Sequence, residues 1–420
     1  MRRVMALAAL ALLAGCAESP GGRVARGGAS APADTGALDV AADIERAIWN
    51  QSPRPWTTDA RWALMRRVYD GARYAPLWYD RNGPTAAGRA AIEALCDAVD
   101  EAIHPAAFTA DSGAWQVNDA AGVAESDLRL TASLLDYFAA LAAGQVAPAA
   151  LDSGWRLPSP VPPSDSELVR ALRRPPAEAA VRYRPASPAY ASLRAALARY
   201  HSLAVAGDWS LPDTVGTLRL GARDSSVPAL RRRLIRTGDL RASDSAGAAF
   251  DAPLDSAVRR AQRRLGLAAD GVVGPGTWRA LAVPAVARAR ILALNLERYR
   301  WLPEQAVGAS LVVDGGAERL ELRVGPEAVY AAGARLDARC VEGTPPIVAD
   351  TARITRGAAP AIALGGGRTL SLTGRRACVR TDSLARLIAA APADAPLAFY
   401  LIVPTATARP GGISFRGDST

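Results

Sequence analysis

The chain has 420 residues, half of them hydrophobic and 22% charged, which is too long for one ordinary core and excludes a wholly disordered chain. Its net charge of +9 rests on arginine alone, because no lysine occurs anywhere in the sequence. Those arginines are scattered and no basic stretch is interleaved with aromatics, which argues against a nucleic-acid partner. Gene base composition accounts for the charge of an Ala- and Arg-rich chain. Attraction to an anionic surface is the functional alternative.

Residues 1–16, "MRRVMALAALALLAGC", read as a targeting segment. Arg2 and Arg3 precede an apolar run from Val4 to Leu13, too short to span a bilayer but suited to a signal sequence. The run ends in Leu13-Ala14-Gly15-Cys16, which resembles a bacterial lipobox. That resemblance implies lipid attachment at Cys16 and a membrane-anchored lipoprotein in the periplasm. An ordinary cleaved signal with a chance Cys is the other reading. Residues 17–37 are rich in Gly, Ala, Ser and Pro and read as a flexible tether.

Residues 38–205 are expected to be a helical domain. "RWALMRRVYDG", "GRAAIEALCDAVDEA" and "ESDLRLTASLLDYFAALAAGQ" place apolar residues three and four apart. Ser126 precedes the last of these runs and Gly144 lies at its end. Pro76 breaks the first helix, and Asn82-Gly83 signals a turn. Cys96 falls on an apolar helical face and reads as a small core residue. Residues 153–188 are Pro-rich and read as an irregular connection with one helix, "DSELVRALRRPP". "YAPLWYDRNG" (74–83), "LTASLLDYFAALAAGQVAP" (130–148) and "ASPAYASLRAALARY" (186–200) together resemble the N-terminal helical region of the large multidomain L,D-transpeptidases.

Residues 217–284 form a second unit. A helix in "SSVPALRRRLIRTGDL" stops at Gly238. Another runs from Asp255, read as its N-cap, to Leu265, with Gly266 stopping it. Asp270-Gly271 and Gly274-Pro275-Gly276 turn the chain, and Thr277 is expected to cap a short last helix. Ala257-Val258, Gln262, Gly266-Leu267, Asp270-Gly271, Gly274 to Thr277 and Ala280-Leu281 resemble the pattern of the common peptidoglycan-binding module. Ala261 departs from it where an aromatic usually precedes the Gln. Arg231, Arg232, Arg233 and Arg236 lie on the first of these helices. Arg259, Arg260, Arg263 and Arg264 share one stripe of the second. The stripe suits the free carboxylates of peptidoglycan stem peptides. The plainer reading, and the one the composition favours, is a solvated face in an Arg-rich chain.

Residues 288–420 open with a helix in "RARILALNLERYRWLPEQ" and then change period from helical to alternating. "ASLVVDGGAERLELRVG" reads as a hairpin turning at Gly315-Gly316, and a helix is expected in "TDSLARLIAAA". "ILALNLERYRWLP", "RCVEGTPPIVADTARI" and "PLAFYLIVPTATARPGGISFRGD", with its turn at Pro410-Gly411-Gly412, resemble the L,D-transpeptidase catalytic domain. The fold class expected is multidomain α+β: a helical N-terminal region, a three-helix peptidoglycan-binding module and a mainly-β C-terminal domain.

That family's reaction is acyl transfer through a cysteine thioester, with a His that raises the thiolate fraction and backbone N–H groups that hold the oxyanion. Cys378-Val379-Arg380 match the family motif Ser/Thr-His-Gly-Cys-Val/Ile-Arg, so Cys378 and Arg380 are the candidate catalytic residues. Arg375, Arg376 and Ala377 depart from it. The chain has 2 His, His104 and His201, and none follows His201. Arg375 or Arg376 could lower a thiol pKa but cannot act as a general base, whose loss costs roughly 10²- to 10⁴-fold. The stretch from Thr344-Pro345 to Cys378 is also shorter than the family's lid-bearing segment.

Two functional classes follow. The first is a peptidoglycan-binding envelope lipoprotein with a degenerate catalytic site, holding the membrane to the wall and recruiting a cell-wall enzyme. The second is an active L,D-transpeptidase working through a Cys378 thioester. A further reading pairs Cys378 with Cys340 in a structural disulfide. No metal or cofactor is implied by either class.

Overall fold

In the computed structural model of the protein, the described residues run from 40 to 402. Outside them within that span lie 51–53, 81–82, 107, 109–118, 187, 208–210, 212–215, 246, 303–308, 316–317, 325–326, 342–346, 358, 366, 374–376, 382–383 and 392–395. The lipobox-like segment, the tether, Thr344-Pro345, Arg375, Arg376 and the turn at Pro410-Gly411-Gly412 therefore fall outside the description. No described helix is long and apolar enough to cross a membrane.

The chain divides into two units, and the fold is multidomain α+β as expected. One unit comprises residues 1–145 and 161–185, the other 146–160 and 186–420. This differs from a helical domain ending at residue 205: two stretches of 38–205 belong to the second unit. The first unit contains α1 (Val40–Asn50), α2 (Asp59–Gly71), the paired β1 (Tyr79–Asp80) and β2 (Gly83–Pro84), α3 (Ala86–Asp97) and α4 (Ala120–Ala143). The chain then leaves it for α5 (Pro148–Leu151) and β3 (Gly154–Trp155), and returns for α6 (Asp165–Leu172) and α7 (Pro176–Tyr183). Two helices thus occupy the Pro-rich stretch where one was expected. Ser164 and Glu167 close a capping box at α6, and Pro176 sits in the first turn of α7, where its missing N–H costs nothing.

Helix α4 is the axis of this unit. It is apolar nearly all round and lies in the core, with Leu128, Leu134, Leu135, Phe138 and Leu141 fully covered. It starts at an Asp119 cap, so Ser126 is a buried mid-helix residue and not its beginning. Buried Asp127 accepts the backbone N–H groups of Leu77, Trp78 and Tyr79 at 3.0, 2.7 and 3.0 Å and the Tyr69 hydroxyl at 2.6 Å. That accounts for "YAPLWYD" as structure: the segment wraps one buried carboxylate and leaves its donors paired. Gly88 lets α3 approach it, since a Cβ there would lie 2.1 Å from the Trp78 carbonyl oxygen. Cys96 is partly buried against the same core but is disulfide-bonded, so it is not simply the small apolar core residue expected from the sequence.

The second unit begins, in sequence after residue 185, with α8 (Pro188–Val205). A three-helix group follows: α9 (Val227–Arg236), α10 (Ala252–Arg264) and α11 (Pro275–Ala282), packed on Leu230, Leu234, Leu254, Val258 and Leu281. Helix α10 starts earlier than expected. Asp251 is its cap, accepting the Leu254 N–H at 3.0 Å, because Pro253 suits the first turn. Asp255 instead binds Arg259 one turn on, at 2.8 Å. Thr277 caps nothing; Gly274 occupies the position before α11.

Helix α12 (Ala285–Arg300) leads into β4 (Ala309–Asp314), β5 (Arg319–Val324), β6 (Glu327–Leu336), β7 (Ile347–Thr355), β8 (Ala361–Leu364), β9 (Thr369–Ser371), β10 (Val379–Thr381), α13 (Leu384–Ala390) and β11 (Leu397–Ile402). Eight of these strands pair in the order β10-β6-β5-β4-β11-β7-β8-β9, and β3 adds to β7. Strand β11 shows why period two matters. Leu397, Phe399 and Leu401 face a core with Leu311, Leu320, Ile362 and Leu387, whereas Ala398 and Tyr400 face Trp155 and Trp301.

That second cluster fixes residues 146–160. Trp155 meets Trp301 edge to face, with ring centroids 5.2 Å apart. Arg298 holds Asp152 through two buried hydrogen bonds of 2.8 and 3.0 Å, and Glu297 accepts the Val146 N–H at 3.0 Å. The polar letters of "LNLERYRW" are therefore an anchoring device.

Candidate functional site

Cys378 stands just before β10 with its side chain in the sheet core, 9% exposed. It is disulfide-bonded to Cys340, the last residue of a 3-10 turn after β6, with Cα atoms 5.6 Å apart. Its N–H donates to the Ser371 carbonyl oxygen at 2.8 Å and its own carbonyl accepts from Asp337 N–H at 2.9 Å. Both ends of the residue are thus committed to backbone partners. A disulfide sulfur is no thiolate, and a donor spent on Ser371 is not poised for an oxyanion.

Around this knot lies a charged rim. The Arg339 side chain and N–H, both bonded to Asp337, hold that carboxyl down at about 2, with Arg380 contributing from farther away. Strand β10 pairs antiparallel with β6, setting Val379 opposite Leu336 and Arg380 opposite Arg335. Val379 enters the core, so Arg380 points to the other face, exposed. Glu318, Gly333, Ala334, Arg335, Arg380 and Thr381 line a groove of about 390 Å³ there. Sequence reasoning reached Cys378 and Arg380 but not Arg335 or Asp337. Nothing in a sequence announces which residue a strand register sets opposite another.

In the three-helix group one side chain binds the whole pattern together. Gln262 donates to Asp270 at 2.8 Å, to the Val272 carbonyl at 3.0 Å and to Thr277 at 3.3 Å, and accepts the Gly271 N–H at 2.9 Å. Gly271 has φ +77°, and a Cβ on it would lie 2.2 Å from Asp255. The spacing of Gln, Asp-Gly and Thr thus follows from one buried amide with four partners. Residues 223–281 match the peptidoglycan binding domain family.

The arginines of this peptidoglycan-binding module divide by use. Arg259 bonds Asp255 and the Ala269 carbonyl, Arg260 the Asp239 carbonyl, and Arg264 the Asp239 carboxylate and Tyr200 hydroxyl. Only Arg263 of that stripe is fully turned to solvent without a described partner. Arg231 is buried, donating to the carbonyls of Asp244 and Ala249 at 2.6 and 2.8 Å. Arg233, also buried, donates to Leu281 at 2.8 Å, and desolvation pulls it down to about 9. Arg231, Arg233 and Arg264 brace the module from within, whereas Arg259 and Arg260 bond back to it from more exposed positions.

Residues 63–197 match a scaffold domain family. A crystal structure of an L,D-transpeptidase (residues 123–326) from Xylanimonas cellulosilytica is 19% identical, covering 46% of this chain and 98% of that one, at a TM-score of 0.18. At that score the superposition carries no structural argument. No curated protein is significantly similar to the chain. Among the described residues no His, Cys, Asp and Glu cluster could hold a metal ion.

Proposed function

We propose that the protein binds peptidoglycan through residues 223–281 and serves as an envelope scaffold whose transpeptidase-like C-terminal domain is catalytically silent. The observation that carries the second half is the Cys340–Cys378 disulfide. Acyl transfer needs a thiolate to attack the stem carbonyl, and here the sulfur's bonding capacity is spent. The absence of any His after position 201 supports the same reading. The lipobox-like end at Cys16 supports a lipid anchor on the membrane side of a periplasmic protein. Arg263 is the stripe residue best placed to meet a stem carboxylate; Arg259, Arg260 and Arg264 serve chiefly to hold the module. With a silent domain, cross-linking itself would fall to a partner enzyme recruited to the wall.

The second reading keeps Cys378 as nucleophile and Arg380 beside it. The Cys378-Val379-Arg380 order favours it. It needs a dithiol reductant that opens the disulfide and is itself oxidised. Carbapenem treatment of the purified protein, with and without dithiothreitol, followed by intact mass, separates the two. The scaffold reading expects no adduct in either sample, together with cosedimentation on purified sacculi. An adduct in the reduced sample that is lost in Cys378→Ala would establish the enzyme.

A further inference from the structure

Helix α1 turns Val40, Ile44, Ala47 and Ile48 into the core at helical spacing, which leaves Trp49 outside it, 54% exposed. Two contacts fix this exposed indole. Its Nε1–H donates to the Tyr74 hydroxyl at 2.7 Å, and the Arg66 guanidinium lies over its ring, 5.5 Å from the centroid. The Tyr74 hydroxyl donates in turn to Asp70 at 3.3 Å. Arg73 and Tyr74 reach this position with φ of +52° and +59°, a left-handed backbone that residues other than glycine rarely adopt and that clusters at ligand sites. Arg66 covers one face of the indole, and the exposure of more than half the side chain leaves the other face open.

The rim of that face selects what can lie on it. Glu45 and Arg46 stand one turn back on α1, and Arg66, Asp70 and Arg73 lie on or just after α2. Arg46 is paired with Asp43. Carboxylates and guanidiniums balance here, so an anionic lipid surface or an acidic peptide gains nothing from charge. The rim is charged and hydroxylic, unlike the apolar centre of a protein–protein interface. A neutral ring with an apolar face and a polar edge fits it.

We infer that Trp49 is a stacking platform for a sugar ring of the peptidoglycan glycan strand, a wall contact on the first unit. The C–H bonds of a sugar carry the partial positive charge that the negative face of an indole attracts. Asp70, Arg73 and Tyr74 at its edge suit the hydroxyl and acetamido groups. That the glycan is that of peptidoglycan rests on the wall-binding reading above. Residues 223–281 hold the same polymer nearby, so even a weak contact adds through avidity.

The test titrates the full chain by calorimetry with N-acetylchitohexaose, a neutral glycan without a stem peptide. Trp49→Ala is expected to weaken binding about tenfold or more, with the melting temperature nearly unchanged because the ring lies outside the core. Trp49→Phe keeps a face to stack and should recover part of the affinity. Tyr74→Phe, which frees the indole edge, should lower it about threefold. No binding of the hexaose, equal binding by wild type and Trp49→Ala, or a Phe variant no better than Ala would overturn the platform. So would Trp49-dependent binding to anionic phospholipid vesicles in place of the hexaose, which would make this surface a membrane contact. Cosedimentation with intact sacculi reports residues 223–281 separately. Sacculi bound but hexaose ignored would remove the platform and leave the wall-binding reading. Hexaose bound through Trp49 by a protein that does not cosediment would spare the sugar site and count against that reading.

Discussion

At the residue scale, carboxylates that look interchangeable in the sequence have opposite fates. Asp127 is buried, and desolvation raises its pKa against the pull of its N–H and hydroxyl donors. Asp337 is half-buried at the rim and is held at about 2 by Arg339. Its folded value lies below the ordinary carboxylate range. The contact therefore contributes fully above pH about 4 and is lost as the pH falls through about 2. Carboxyl-carbon NMR of Asp337 should show that low midpoint. Arg339→Ala should return it toward about 4, and an unmoved midpoint would show that another group sets it. Neither fate was readable beforehand, because both depend on neighbours brought in by folding.

At the element scale, the peptidoglycan-binding module hangs on the hold that α10 keeps over the loop before α11. Gln262→Ala would leave the Gly271 N–H without its buried acceptor, a cost of about 1–3 kcal/mol. We expect a lowered module melting transition by calorimetry and weaker sacculus cosedimentation. An unchanged transition would mean that solvent replaces the amide. The elements themselves were largely legible. Helical period gave α2, α3, α4 and α10, and alternation gave β4, β5 and β11. Their starts were less so: α4 is capped by Asp119 and α10 by Asp251, each earlier than the candidate caps Ser126 and Asp255. A capping side chain is only one of several polar residues near a helix start, and the packed face decides among them. Register was invisible, which is why Arg335 went unnoticed while Arg380 did not.

At the scale of the molecule, the division of the chain is the least sequence-like feature. Residues 146–160 sit between two stretches of the first unit yet fold into the second, through buried Asp152 and Trp155. Nothing in "AALDSGWRLP" says where it docks; a Pro-rich stretch reads as a linker because its partners are distant in sequence. Asp152→Ala would strand Arg298 in the interior, costing about 3–5 kcal/mol. Urea unfolding should show that loss in the second unit's transition. Asp152→Asn should recover part of it. A loss under 1 kcal/mol would mean that water reaches Arg298 in the variant.

The parallel pairing of Gly154 with Val348 also sets an order in time. During synthesis β3 leaves the ribosome before any strand of the sheet it joins. Trp155 then has no Trp301 or Tyr400 to cover it, and the remainder of the first unit, residues 161–185, is still to come. The first unit must be completed while this ribbon stays open, and the ribbon must wait for β7 and β11, whose pairing is long-range and slow. A chain cut short before Ile347 would carry that tryptophan exposed, and chaperones or proteases would read it as unfinished.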